Sequence, residues 1–199
     1  DRVILAHLQG RHVMGVYPLL PDETCWFLAI DLDKATWADD VSAIRETCRS
    51  LCIPVAVERS RSGKGAHVWF FFTAPVAASA ARTLGSHVIT ETMSRRHEMS
   101  MTSYDRLFPN QDTMPKGGFG NLIALPFQDG PRKEGNTLFL DHALRPFADQ
   151  WGYLATHPRI PPQQVERIAA DAQSRGLVLG VRSVAEDGEN GPAPWDRMP

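Results

Sequence analysis

Phe27-Leu28-Ala29-Ile30-Asp31-Leu32-Asp33 is an apolar run that closes on two carboxylates, and reading it as a strand organises everything around it. Strand side chains alternate between faces, so Leu28, Ile30 and Leu32 point one way while Phe27, Ala29, Asp31 and Asp33 point the other. Both acids therefore share a face. At a rise of ~3.3 Å per residue their Cα atoms lie ~6.6 Å apart, a separation from which two carboxylates can converge on one or two hard divalent cations. The plainer alternative is that Asp33 closes the strand and caps the helix that follows, with Asp31 facing water.

Downstream, Thr36 to Leu51 carries Trp37, Val41, Ile44, Cys48 and Leu51 at three-four spacing, which predicts a helix with one buried stripe. Ile53 to Glu58 and Ala66 to Phe72 read as strands joined by the basic, Gly-containing loop Arg59 to Gly65. Pro75, whose missing N–H costs nothing in a first helical turn, opens a helix reaching about Met93. After an irregular stretch from Ser103 to Gly120, Asn121 to Pro126 resumes as a strand. From Cys25 to Pro126 the order is thus β-α-β-β-α-β, the split βαβ arrangement of RNA-recognition-type sheets, and the expected class is α+β. In that topology the first and third strands are central antiparallel neighbours and the fourth lies at an edge. The end of strand one then meets the start of strand three, placing Asp31 and Asp33 beside His67.

Upstream, His12 to Leu20 offers a strand, stopped by Pro21-Asp22, that could pair with Cys25 to Asp33 as an additional N-terminal hairpin. Residues 1–11 give little beyond a short apolar face of Val3, Ile4 and Leu8. Thr137 to Leu140 reads as a further strand, with helices near 147–155 and from Pro161 to Arg175. Ser183 to Pro199 is acidic and contains Gly and Pro, as a flexible linker would. One domain over residues 1–182, built on a core at about 25–126, is the organisation expected.

The 199 residues are enough for one sizeable core, and 43% hydrophobic with 22% charged residues describes a globular chain. A formal net charge of -2 excludes a histone-like polycation, though not nucleic acid, for which a local basic groove matters more than the sum. No apolar run reaches the length of a membrane span and no signal peptide opens the chain, so a cytoplasmic location without a membrane partner is expected. Lacking an initiating Met, the chain reads as a piece of something longer. Cys25, Cys48 and Cys52 are odd in number and form no Cys-x-x-Cys pair, which argues against a disulfide framework. They could meet at a metal, but spacing places no fourth ligand, and buried thiols are the simpler reading.

Ser62-Gly63-Lys64-Gly65-Ala66-His67 is the second informative stretch. Two glycines let the backbone approach an anion, Ser62 and Lys64 supply donors, and Arg59 and Arg61 add positive potential. The set Arg59, Ser62, Gly63, Lys64, Gly65 and His67 suits a triphosphate. It is not a Walker A loop, because Gly65 rather than Ser or Thr follows Gly63-Lys64 and a strand follows in place of a helix. The alternative is a flexible cationic hairpin loop. His67 falls in phase with Trp69 and Phe71 on an outward face, the alternative being a core histidine satisfied by one carbonyl. In Ser103 to Asp112, one acid could complete a three-carboxylate site for two metals. Asp112 stands nearer the strand that would anchor this loop, whereas Asp105 beside Arg106 is economical as an ion pair.

Together, Ile30-Asp31-Leu32-Asp33, Glu58 to Trp69, Ser103 to Asp112 and Gly117 to Gln128 closely resemble the primase domain of TOTE conflict systems, in the archaeo-eukaryotic primase superfamily. The resemblance runs from about His12 to Trp151. It implies that Asp31 and Asp33 form the first, metal-binding motif, that Ser62 and His67 form the nucleotide-binding Ser-x-His type motif with a longer insert, and that a single metal-binding acid, carried to Asp112, forms the third. It further implies a DNA primase-polymerase that joins nucleoside triphosphates on a DNA template with Mg2+ or Mn2+, with a helicase in the same longer chain. Two rivals stand beside it. A metal-dependent nuclease would use the same acids without needing a triphosphate loop. A non-catalytic nucleic-acid-binding module would stack bases on Trp69 and Phe71.

Overall fold

The computed structural model of the chain describes residues 2–95 and 106–177. In chain order its elements are α1 (Arg2–Leu8), β1 (Gly15–Val16), β2 (Thr24–Leu32), α2 (Trp37–Ser50), β3 (Ala56–Arg59), β4 (Ala66–Ala77), α3 (Ala78–Arg95), β5 (Arg106–Phe108), β6 (Ile123–Ala124), α4 (Asp129–Lys133), α5 (Gln150–Thr156) and α6 (Pro162–Ser174). Strands β3, β4, β2 and β5, in that order, make an antiparallel sheet, and β1 pairs antiparallel with β6 in a second, smaller one. The class is α+β.

Alternation along the strands makes two unlike faces. Leu28, Ile30 and Leu32 of β2 join Val57, Val68, Phe70, Phe72 and Leu107 in a core that also takes Val41, Ile44 and Cys48 of α2 and Ala81, Leu84 and Val88 of α3. Each large side chain so buried contributes roughly 1.5–3 kcal/mol relative to exposure. Helix α3 comes especially close to the sheet at Gly85, where an added Cβ would meet Leu28 Cδ2 at 2.9 Å and Leu107 Cδ2 at 3.3 Å. On the opposite face Ala29, Ala56, Trp69 and Phe108 pack with Ile123 of β6, Phe127 and Phe139. The outer edge of β3 is covered too, because Thr137 to Leu140 runs antiparallel beside it through Thr137 N–H to Arg59 O (2.9 Å) and Leu140 N–H to Val57 O (2.7 Å).

Several expectations need correction. The edge strand beside β2 is Arg106–Phe108, not Asn121 to Pro126; three residues are too few for alternation to show, yet Leu107 enters the helix-side core and Phe108 the other cluster. The Asn121 to Pro126 segment instead contributes β6, which binds β1. No N-terminal hairpin joins β1 to β2. The turn before β2 closes through Leu20 N–H to Thr24 O at 2.8 Å, and upstream of it the chain leaves for β6, with Leu125 N–H reaching Met14 O at 2.9 Å. Pro75 opens no helix, since β4 continues through it to Ala77. The β2–β4 register shifts between Cys25 and Phe27, and Pro75 falls within the stretch of β4 left without a β2 partner, where its missing N–H breaks no ladder. Helix α1 forms where sequence patterning is weak; His7 anchors it, its Nε2–H donating to Pro126 O (2.8 Å) while Nδ1 accepts from Met14 N–H (3.0 Å). The linker expected at Ser183 to Pro199 lies outside the described residues.

Candidate active site

The hairpin that joins β3 to β4 is tight. Ser60 N–H donates to Gly65 O at 2.9 Å, Gly63 N–H to Ser60 O at 3.0 Å, and Ser62 Oγ accepts Lys64 N–H at 3.2 Å. Gly63 adopts φ +73°, a conformation that side chains disfavour, and a Cβ on Gly65 would press into the Leu32 carbonyl oxygen. The glycines thus bring the loop against the end of β2, where the acids stand.

The register set by this turn pairs Glu58 with His67, that of β2 and β4 pairs His67 with Asp31, and that of β2 and β5 pairs Asp31 with Arg106. Four side chains of alternating character therefore form one row across all four strands, on the face away from α2 and α3. Glu58 Oε2 lies 3.0 Å from His67 Nδ1, His67 Nε2 lies 3.6 Å from Asp31 Oδ1, and Arg106 Nε lies 3.9 Å from Asp31 Oδ2. Glu58 is buried, its side chain 2% exposed, against 14% for His67 and 18% for Asp31. Burial alone would lower the pKa of His67, but the Glu58 hydrogen bond and the Glu58 and Asp31 charges outweigh it and raise the pKa above its ordinary value.

An open cleft of ≈ 510 Å³ lies over the exposed end of this row. Asp31, His67 and Phe108 line it from the sheet, Asp33 from just past β2, Ser60, Arg61 and Ser62 from the hairpin loop, and Leu122, Ile123 and Ala124 from β6 and the residue before it. The expected acid pair, Ser62 and His67 thus meet in one place. Lys64 is exposed on the same loop. Asp33 is half-exposed beside Lys34 (3.2 Å) and does not cap α2, whose N-cap residue is Thr36.

Two expected residues stand elsewhere. Arg59 follows Glu58, so parity turns it to the other face, where it lies over the Trp37 ring at 5.6 Å and donates to Leu144 O at 3.2 Å. Arg61, two residues on, is the arginine that lines the cleft. Asp112 does not line it either; its carboxylate is held by the buried Arg82 of α3, which ties the loop after β5 to the helix layer. Asp105, the other candidate, lies outside the described residues. Trp69, counted on as an outward ring for stacking bases, is 3% exposed and donates its Nε1–H to Glu58 Oε2 at 2.9 Å. The exposed aromatics near the cleft are Tyr17 and Phe119, with ring centroids 5.3 Å apart. They border a neighbouring depression with Lys116, Asn110 and Gln111.

Glu58 went unnoticed in the sequence. Counting outward from the hairpin turn, with Arg59 opposite Ala66, places it across from His67 and would have found it. For a metal, the described part of the site offers two carboxylates on one face, hard oxygen donors suited to Mg2+ or Mn2+, which commonly complete their shells with substrate phosphates and water. Among the described residues no group of three or more His, Cys, Asp or Glu side chains is placed to hold a metal. The two carboxylates fit part of such a site. No helix among the described residues is long and apolar enough to cross a membrane.

A family model for the archaeo-eukaryotic primase domain of TOTE conflict systems matches residues 1–168. No curated protein matches the chain.

Proposed function

The chain belongs to the archaeo-eukaryotic primase domain family of TOTE conflict systems, and on that premise we propose that it is a template-directed nucleotidyltransferase of the primase-polymerase type. The observation that carries the reading is the convergence of Asp31, Asp33, Ser62 and His67 on one cleft from two strand ends and a glycine-shaped loop. The strand order β3-β4-β2-β5, with the first and third strands of the β-α-β-β-α-β series at the centre, supports the split βαβ reading of the sheet.

Ser62, Arg61, Lys64 and His67 bind and orient the triphosphate of an incoming nucleotide, supplying hydroxyl and cationic donors to its oxygens. Asp31 and Asp33 would hold Mg2+ or Mn2+. When bound, that ion neutralises charge on the phosphates and lowers the pKa of the attacking hydroxyl. The 3′-hydroxyl of the growing strand attacks the α-phosphate in line, and pyrophosphate leaves. Arg106, beside Asp31, keeps the β5 side of the row positive. Unpaired template bases stack on Tyr17 and Phe119, next to a depression in which Lys116 is the charged residue. A nuclease would have no use for the phosphate-binding loop, and a base-stacking module built on Trp69 lacks an open ring there.

Primer extension on a DNA template with Mn2+ and nucleoside triphosphates tests the proposal. Asp31→Ala with Asp33→Ala should abolish extension while lowering the melting temperature only slightly, because the pair gives up part-exposed contacts to His67 (3.6 Å), Arg106 (3.9 Å) and Lys34 (3.2 Å) and no core packing. Undiminished extension by the folded double variant would refute the assignment. Template cleavage without nucleotide incorporation would favour the nuclease.

A further inference from the structure

Glu58 is the most deeply buried carboxylate on the cleft face, and the proposed reaction does not use it. It lies on the far side of His67 from Asp31, so it stands apart from the acid pair. Its Oε2 accepts two hydrogen bonds, from His67 Nδ1–H at 3.0 Å and from Trp69 Nε1–H at 2.9 Å. Because a carboxylate only accepts, the proton of that contact belongs to His67 Nδ1. The ring is then fixed at one end, and Nε2 is the nitrogen left facing Asp31 and the cleft. Trp69 in turn holds the carboxylate, since its indole is buried between Phe27 (centroids 5.2 Å) and Phe71 (6.0 Å).

An imidazole on a strand has two softly limited torsions and can present either nitrogen, or neither, to a ligand. A buried carboxylate opposite one nitrogen removes that freedom. From this geometry we infer that Glu58 is a positioning residue, clamping His67 at Nδ1 so that Nε2 is aimed at the phosphates of the incoming nucleotide, with Trp69 as the brace of the clamp. The inference rests on reading the cleft as a nucleotide site. It deepens that reading by giving the nucleotide contact a support that runs inward from His67 to Glu58 to Trp69.

The test compares Glu58→Ala, Glu58→Gln and His67→Ala, alone and with Glu58→Ala and His67→Ala combined, using ATP and dATP as probes. Loss of a charge-assisted bond that orients a ligand group should raise the nucleotide KM about tenfold, with kcat and template affinity changed less than about twofold. Glu58→Gln, whose amide oxygen can accept from both donors, should recover most of the affinity. In a His67→Ala background Glu58→Ala should add nothing. Long-range 1H–15N spectra should show His67 Nδ1 protonated in the wild type and that signature altered in Glu58→Ala. Should Glu58→Ala fail to fold, Glu58→Asp keeps the charge, withdraws the acceptor by one methylene and should give the same rise in KM. An unchanged imidazole signature in folded Glu58→Ala or Glu58→Asp would overturn the inference, as would an unchanged KM in those variants or a further KM increase on top of His67→Ala. A wild type that binds neither nucleotide would refute the nucleotidyltransferase instead, and the imidazole spectra would still decide the clamp.

Discussion

The helix-covered face of the sheet and the cleft face are cut from the same strands, often from adjacent residues: Ile30 against Asp31, Val57 against Glu58, Val68 against His67. On the first face any well-fitting apolar neighbour serves, because the attraction depends on area and not on direction. On the second, Glu58, His67, Asp31 and Arg106 matter only in relation to one another, through contacts of 3.0, 3.6 and 3.9 Å. Both faces hold the fold through an apolar cluster, and the second alone carries the polar row. Substitutions should therefore separate into changes of stability and changes of chemistry according to whether they touch a cluster or the row.

The largest energetic effect should come from the helix-covered face. Phe70→Ala, at a fully buried ring, should cost roughly 3–5 kcal/mol of stability, read by urea titration, and any activity change should follow the folded fraction. A variant that stayed stable but lost activity would break the division. Asp112 sharpens it. If its partner Arg82, with a side chain 8% exposed, anchors the loop to α3, then Asp112→Ala should lower stability by about 1.5–3 kcal/mol. Extension should persist wherever the protein remains folded. Loss of extension without loss of stability would return Asp112 to the chemistry.

Phe119→Ala should leave stability untouched, the ring being 65% exposed, and weaken single-stranded template binding about tenfold, within the range of one base–aromatic stack. Nucleotide KM should hold, and fluorescence titration with an oligonucleotide reads the difference. The smallest effect concerns the thiols. Burial pushes Cys25 and Cys48 up to about 12, so at pH 8 both stay protonated and unreactive, whereas Cys52 is exposed. A thiol reagent should label Cys52 quickly and the other two only after unfolding. Fast labelling of Cys48 in the native protein would mean that the α2 packing opens readily.

Much of the helix-covered face was legible in the sequence, because three-four spacing in α2 and alternation in β2 report burial directly. The acid pair and the loop were legible for a related reason: parity and glycine content are local. What stayed hidden was non-local. Alternation says which way a side chain points and not which strand lies beside it, so Arg106–Phe108 went unseen as an edge strand and Asn121 to Pro126 was assigned its place. Arg59 and Arg61 carry the same charge in the sequence, and only their placement separates them: Arg59 lies over Trp37 and Arg61 lines the cleft. Glu58 looked like the end of a strand until the hairpin register set it opposite His67.

That register carries an implication for how the molecule guards against error during folding. Sliding β4 by one residue against β2 would replace His67 with Val68 in the row and drive the imidazole toward Leu32 and Ile44, while Trp69 and Phe70 exchanged sides. A chain misaligned in this way would bury a polar ring against the helices and force Phe70 into the cluster shaped for Trp69. The apolar stripe of β4 therefore acts as a proofreader of the cleft: a chain aligned well enough to stay folded has Asp31, His67 and Glu58 opposite one another.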